Sequence, residues 1–205
     1  MGRSPTNSKQ KLLETANDLI WQSSYGSVSV DDICTTAAVK KGSFYYYFAS
    51  KAELAVAVME KAYLEFESGI NDVFTDEINP IARFEKLAAL IYDKQQLAFE
   101  KYGRVCGCPF ASLGSEMAGN DKMIQQKADE IFHQQGNTFA ASIKEMVQLG
   151  LLAPETDVDM KSSQIVSFIL GQLMMARITN DLTSLKEELR LGLLRTLELN
   201  HEEVS

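Results

Sequence analysis

The sequence predicts an all-α protein: a small three-helix head at the N-terminus, followed by a longer helical body. Three observations carry that expectation. Only four prolines occur in 205 residues, while the good helix formers Leu, Ala, Glu, Lys, Gln and Met are plentiful. Apolar residues recur at three- and four-residue spacing along the chain. No Asn-Gly or Asp-Gly pair sits between alternating apolar runs, so nothing marks a β-hairpin. A hydrophobic content of 45% suffices for one or two packed cores.

Residues 1–8 are polar and read as an arm, either a frayed terminus or a segment whose Arg3, with Lys9 beyond it, reaches phosphate or the minor groove. Residues 9–23 form the first helix, with Leu12, Leu13, Ala16, Leu19 and Ile20 on one stripe and Gly26 closing it. The stretch VSVDDICTTAAVKKGSFYYYFASKAEL, residues 28–54, then reads as two short helices around a tight turn. Ser29 followed by Asp32 is a capping pattern, with acids where the helix dipole favours them. Val30, Ile33 and Ala37 face inward, and Ala38 and Val39 fill the turn. The second short helix runs from about Lys41 to Tyr47, anchored by Phe44 and Phe48 four residues apart. Lys40, Lys41, Gly42, Ser43, Tyr45, Tyr46 and Tyr47 are left on its outer side. A helix-turn-helix places such a second helix in the DNA major groove.

At KKGSFYYYFASKAEL the chain resembles the TetR/AcrR family of bacterial repressors, whose signature is K-G-x-[FL]-Y-x-[HY]-F-x-[ST]-K-x-x-L. The likeness extends over roughly residues 8–60. It implies a DNA-binding head over residues 1–50 and an effector-binding and dimerisation body over residues 51–205. It also implies that the fourth helix acts as a lever between the two. Ser50 is a plausible N-cap for that helix, with Glu53 in its first turn. The run from there to Phe74 contains no proline and would be about 35 Å long at 1.5 Å per residue.

In the body, Asn79-Pro80 marks a break, and residues 81–102 form an amphipathic helix on Ile81, Phe84, Leu87, Ala88, Ile91, Gln95, Ala98 and Tyr102. GRVCGCP, residues 103–109, interrupts it, and a short helix ends near Gly119. A long helix spans residues 121–149, closed by Gly150 and Pro154. Residues 157–179 carry Ile165, Phe168, Ile169, Leu173 and Ala176 on one side, and Ser163, Ser167 and Gly171 on another. Residues 182–200 carry Leu185, Leu189, Leu193 and Leu197 on one stripe, Leu191 and Leu194 on another. Helices apolar on more than one face are buried on more than one face. A second copy of the chain would cover the surplus, with Ser163, Ser167, Gly171, Leu185, Leu189 and Leu193 at a two-fold interface.

The net charge of −8 argues at first against nucleic acid, whose phosphates attract Lys and Arg. Its distribution reverses that. Residues 1–51 hold six Lys or Arg against four acids, net +2, whereas the remainder holds 14 against 24, net −10. No apolar stretch reads as a secretory signal or a membrane span, and three cysteines do not suggest a disulfide framework, so a cytoplasmic protein is expected. No nucleotide-binding glycine motif, HExxH or G-x-S-x-G elbow occurs, and there are two histidines. Neither an enzyme, a metal nor a cofactor is expected.

The DNA-contacting set is Ser29, Lys40, Lys41, Gly42, Ser43, Tyr45, Tyr46, Tyr47 and Lys51. Tyrosine hydroxyls and lysines would meet phosphate or base edges, and Gly42 would let the backbone approach. Helix starts at Ser29 and Lys51 would add amide contacts. An ordinary solvated face rarely carries three consecutive tyrosines. An effector pocket would draw on Phe84, Ile91, Phe99, Phe110, Met117, Phe139, Phe168 and Gln172, with Glu116 as a further polar contact; plain core is the alternative. Cys106 and Cys108 are preferred as small buried hydrophobes. The alternative is a thiol sensor, its thiol lowered by a helix start and by Arg104, as the resemblance suggests for family members that sense electrophiles or oxidants. The expected partners are thus a double-stranded DNA operator, a second copy and an unidentified small-molecule effector. Rival functions are a thiol-based stress protein without DNA binding and a helical protein-interaction adaptor.

Overall fold

A computed structural model of the chain describes residues 5–199. Among them are α1 (Pro5–Gln22), α2 (Val30–Thr36), α3 (Lys41–Tyr47), α4 (Lys51–Val73) and α5 (Pro80–Tyr102). Then follow α6 (Pro109–Glu116), α7 (Lys122–Gln148), α8 (Val158–Thr179) and α9 (Leu182–Leu197). No strand occurs among the described residues. The helix starting at Pro5 corrects the expectation of an arm through Ser8; Arg3 lies outside the described residues. Lys9, also assigned to that arm's contacts, holds its ammonium 5.8 Å from the centre of the Phe48 ring.

The chain divides into two compact units. One comprises Met1–Glu65 and Pro109–Glu130; the other comprises Phe66–Cys108 and Ile131–Ser205. None of these divisions falls at the expected boundary, 50/51. α6 and the first turns of α7 belong with the head, and the divisions fall inside α4 and α7.

In the first unit α1, α2 and α3 pack on one another. Leu12, Ala16, Ile33 and Phe44 are fully enclosed. α2 is too short to be stable alone, and its ends are tied. Ser29 Oγ accepts from Asp32 N at 3.1 Å, while Ser29 N donates to Asp32 Oδ2 at 2.8 Å. At the other end Ala38 N donates to Thr35 O and Val39 N to Cys34 O, a Schellman closure with Ala38 at φ +52°. That closure sets the turn into α3. Ser50 Oγ accepts from Glu53 N at 3.1 Å at the start of α4, and Glu53 reaches back to Ala49 N.

The second unit has one apolar core, drawn from α5, α7, α8 and α9. α9 packs on both α5 and α8. Leu185, Leu189, Leu193 and Leu197 are each 1% exposed or less and lie in that core. This corrects the assignment of Leu185, Leu189 and Leu193 to an interface between copies. Their stripe is covered within the chain, and no side chain there remains to face a partner. Ser163, Ser167 and Gly171 are exposed, in one row with Met160, Met174, Met175 and Ile178. The buried Arg83 joins α5 to α7 through both oxygens of Glu145, at 2.5 and 3.2 Å, and donates to Ile78 O. No helix among the described residues is long and apolar enough to cross a membrane.

Leu189→Ala is expected to destabilise the chain by ~2–5 kcal/mol through a cavity in the second unit, read as a shift of the denaturation midpoint by circular dichroism. Leu189→Glu is expected to give unfolded protein rather than a folded monomer. The Asp32 carboxyl is held below the usual range by hydrogen bonds from the Ser29 hydroxyl and amide. Its folded value lies below its unfolded one, so its stabilisation is complete above the unfolded value and is lost as pH falls through the folded one. Asp32→Asn should therefore flatten the acid side of a stability-versus-pH curve, and an unchanged curve would contradict this.

Candidate functional site

α3 is a seven-residue helix with two faces. Phe44 is fully buried and Phe48, at its C-cap, is 2% exposed. Their rings lie 6.0 Å apart. With that side fixed, the 100° step of a helix turns Tyr45 and Tyr46 outward, at 52% and 79% exposure. Tyr46 packs edge-on against the half-buried Tyr47, with ring centres 4.9 Å apart. Lys40, Lys41 and Gly42 are exposed and Ser43 is half-buried. Ser29, 12 residues before Lys41, is exposed at the start of α2, its hydroxyl donating to Asp32 Oδ2. The Lys41 ammonium pairs with both carboxylate oxygens of Asp31, at 2.7 and 3.0 Å, which holds it above the usual lysine range.

Lys51 is placed differently from expectation. Its ammonium donates to Tyr25 O and Val28 O, both at 2.9 Å, and sits 3.9 Å from the Tyr25 ring centre. Burial pushes this ammonium below its usual range, against the attraction of Glu116. Lys51 is thus committed to the α1–α2 loop, which removes the ground for giving it a phosphate contact. Glu116 also leaves the effector set. From the end of α6 its carboxylate accepts from Tyr25 N at 3.0 Å and Gly26 N at 2.6 Å. A sequence signal existed: an acid at a helix C-terminus opposes the dipole and calls for partners.

The remaining pocket candidates fall in both units. Phe110 and Met117 lie in the first unit, where Phe110 packs on Tyr63 with ring centres 6.2 Å apart. Phe84, Ile91 and Phe139 are buried core of the second unit, with Phe74 5.4 Å from Phe84 and 5.5 Å from Phe139. Phe99, Phe168 and Gln172 are half-buried in that unit.

The loop before α6 is tightly held. Gln95, buried in α5, exchanges two hydrogen bonds with the Gly107 backbone: Nε2 donates to Gly107 O at 3.1 Å, and Gly107 N donates to Oε1 at 2.9 Å. Gly107 has φ +73°, and a Cβ there would meet Leu173 O at 3.3 Å, so both conformation and space require glycine. Asn180 Oδ1 accepts from Val105 N at 2.9 Å. Cys106 is buried and Cys108 half-buried. Burial pushes the Cys106 thiol up, against Arg104 and Arg177, which pull it down. Cys106 thus fits the preferred reading of a small buried residue, and the lowered thiol of the alternative is not found there: desolvation outweighs the guanidinium groups. Gln95 was visible in the sequence as a polar residue on an apolar stripe, but its partner was not.

Comparison with known proteins places these features. The profile described as bacterial regulatory proteins, tetR family, matches residues 12–58, and that described as tetracyclin repressor-like, C-terminal domain, matches residues 84–191. An uncharacterised HTH-type transcriptional regulator from the lacX 3' region of Lactococcus lactis is 27% identical over 88% of either chain. The HTH-type transcriptional repressor NemR of Escherichia coli K12 is 28% identical over 60% of this chain and 61% of that one. The crystal structure of reduced E. coli NemR is similar in fold, with a TM-score of 0.77 at 19% identity, covering 96% of this chain and 100% of that one. A profile spanning more than half the chain, joined to a helix-turn-helix profile over α2 and α3, shows that the protein belongs to the TetR family of DNA-binding transcriptional regulators.

Proposed function

We propose that this regulator is a homodimeric repressor that grips a near-palindromic operator through two copies of α3 and releases it when an effector binds the body. The observation that carries the reading is the outer face of α3. Lys40, Lys41, Tyr45 and Tyr46 stand exposed on a helix whose opposite side is locked by Phe44 and Phe48. Lysines and tyrosine hydroxyls suit phosphate and base edges, Gly42 permits close backbone approach, and Ser43, Tyr47 and Ser29 flank the contact. In the free chain Lys41 is neutralised by Asp31; a phosphate oxygen would take that carboxylate's place.

A second copy supplies the second recognition helix. The exposed apolar row on α8, with Ser163, Ser167 and Gly171 between Met160, Met174, Met175 and Ile178, suits close helix approach. Leu191 on α9 is a further exposed apolar residue, at 46% exposure. Two heads would then address successive major grooves about 34–36 Å apart.

For the effector, Phe99, Phe168 and Gln172 offer half-buried surface in the second unit. A thiol route is the second reading, and it rests on Cys108, half-buried beside a loop glycine pinned by Gln95. In either case release requires the effector to prefer the conformation that binds DNA poorly, and DNA then weakens effector binding by the same factor.

Duplexes selected from a random pool by the wild-type protein test the reading. Lys41→Ala is expected to weaken binding to the selected duplex and to reduce the slope of log affinity against log salt by ~0.9 if one phosphate contact is lost. Tyr46→Phe should weaken binding with the slope retained. Unchanged affinity in both would remove α3 from the interface. Ile178→Glu is expected to yield folded monomers in sedimentation velocity, and a dimeric profile would remove α8 from the interface.

A further inference from the structure

The loop between α1 and α2 is held from two sides by opposite charges. Glu116 accepts two consecutive backbone N–H groups, those of Tyr25 and Gly26. Lys51 donates to two carbonyls of the same loop, those of Tyr25 and Val28. Donors and acceptors of one short segment are thus satisfied by a carboxylate from α6 and an ammonium from α4. The segment leads directly to Ser29, which caps α2, and α2 carries α3 through the closure at Ala38. Two helices of seven residues do not fix their own orientation. Whatever fixes this loop fixes the angle at which α3 is presented.

We infer that Glu116 is a positioning residue for DNA binding: α6 completes the DNA-binding unit by clasping the α1–α2 loop. The inference rests on the DNA-binding reading of α3 and goes beyond it, because it places a determinant of operator affinity 69 residues after Tyr47, away from the helix-turn-helix itself. It also gives a role to the grouping of Pro109–Glu130 with the N-terminal residues.

Glycine at position 26 permits an independent test. A Cβ added there would come within 2.9 Å of Glu116 Oε1, the movable end of a side chain, and Gly26 is not in the left-handed region. Gly26→Ala should therefore displace the carboxylate while keeping its charge and the loop's backbone conformation. Glu116→Gln removes the charge and leaves one oxygen to accept where two did.

The experiment uses the full chain, a duplex selected by the wild type, and a scrambled duplex of equal length and composition. Fluorescence anisotropy gives both affinities, and thermal unfolding confirms the fold. Both variants are expected to bind the selected duplex roughly tenfold more weakly, the equivalent of one charge-assisted hydrogen bond. Binding to the scrambled duplex should be unchanged. If Glu116→Gln instead binds both duplexes more tightly while Gly26→Ala matches the wild type, Glu116 acts only as a negative charge and the inference is overturned. Wild-type affinity in both variants also overturns it. Should Glu116→Gln fail to fold, Gly26→Ala alone decides. If the wild type selects no duplex at all, the DNA-binding reading fails and this inference with it; if it does, a null result in the variants touches only the inference.

Discussion

The burial of Phe44 is the constraint on which the head depends. A seven-residue helix has little stability of its own, so α3 exists because Phe44, and Phe48 after it, are enclosed by the packing of α1, α2 and α3. That one requirement decides the rest of the helix. With Phe44 inward, the helical step leaves Tyr45 and Tyr46 no place but the surface. Two aromatic residues that would otherwise be sought in a core become a polar-tipped outer face. Each hydroxyl is then available to a ligand, and the ring beneath supplies rigid contact area at small conformational cost.

Charge follows the same division. A chain with a net charge of −8 would be a poor DNA ligand if its charges were mixed evenly. Instead the first 51 residues carry a small positive excess, and two of those charges are adjacent at Lys40 and Lys41. The Lys41–Asp31 pair keeps one of them compensated in the free protein. An exposed pair of this kind contributes little to stability, so exchanging the carboxylate for a phosphate costs little. Lys51 illustrates the opposite choice. Half-buried against Tyr25 and two carbonyls, its ammonium serves the fold.

Local chemistry was readable from the sequence, and distant pairing was not. The capping pair Ser29–Asp32, the inward Phe44 and Phe48, and the bounds of α3 follow from spacing within one helix turn, and the structure has them as expected. The two stripes of α9 were also visible. Periodicity, however, cannot tell which stripe a chain covers by itself, and Leu185, Leu189 and Leu193 turned out to be covered by α5 and α8. Glu116 and Tyr25 are 91 residues apart. No local pattern joins them, and so both the Glu116 clasp and the membership of α6 in the head escaped a linear reading. Cys106 is buried, as the preferred reading of a small apolar residue has it, and only the alternative of a lowered thiol misses there. Neighbouring arginines are visible in sequence, but the burial that outweighs them at Cys106 comes from the folded environment.

The central claim is that α3 enters a major groove and that a second copy does the same one helical turn away. Methylation protection of guanine N7 on a duplex selected by the wild-type protein addresses it directly, since N7 lies on the major-groove edge. Two protected clusters with centres about 10 base pairs apart are predicted, and both should fade with Tyr46→Phe or Lys41→Ala. A single cluster, or tight binding with no N7 protected, would contradict the account.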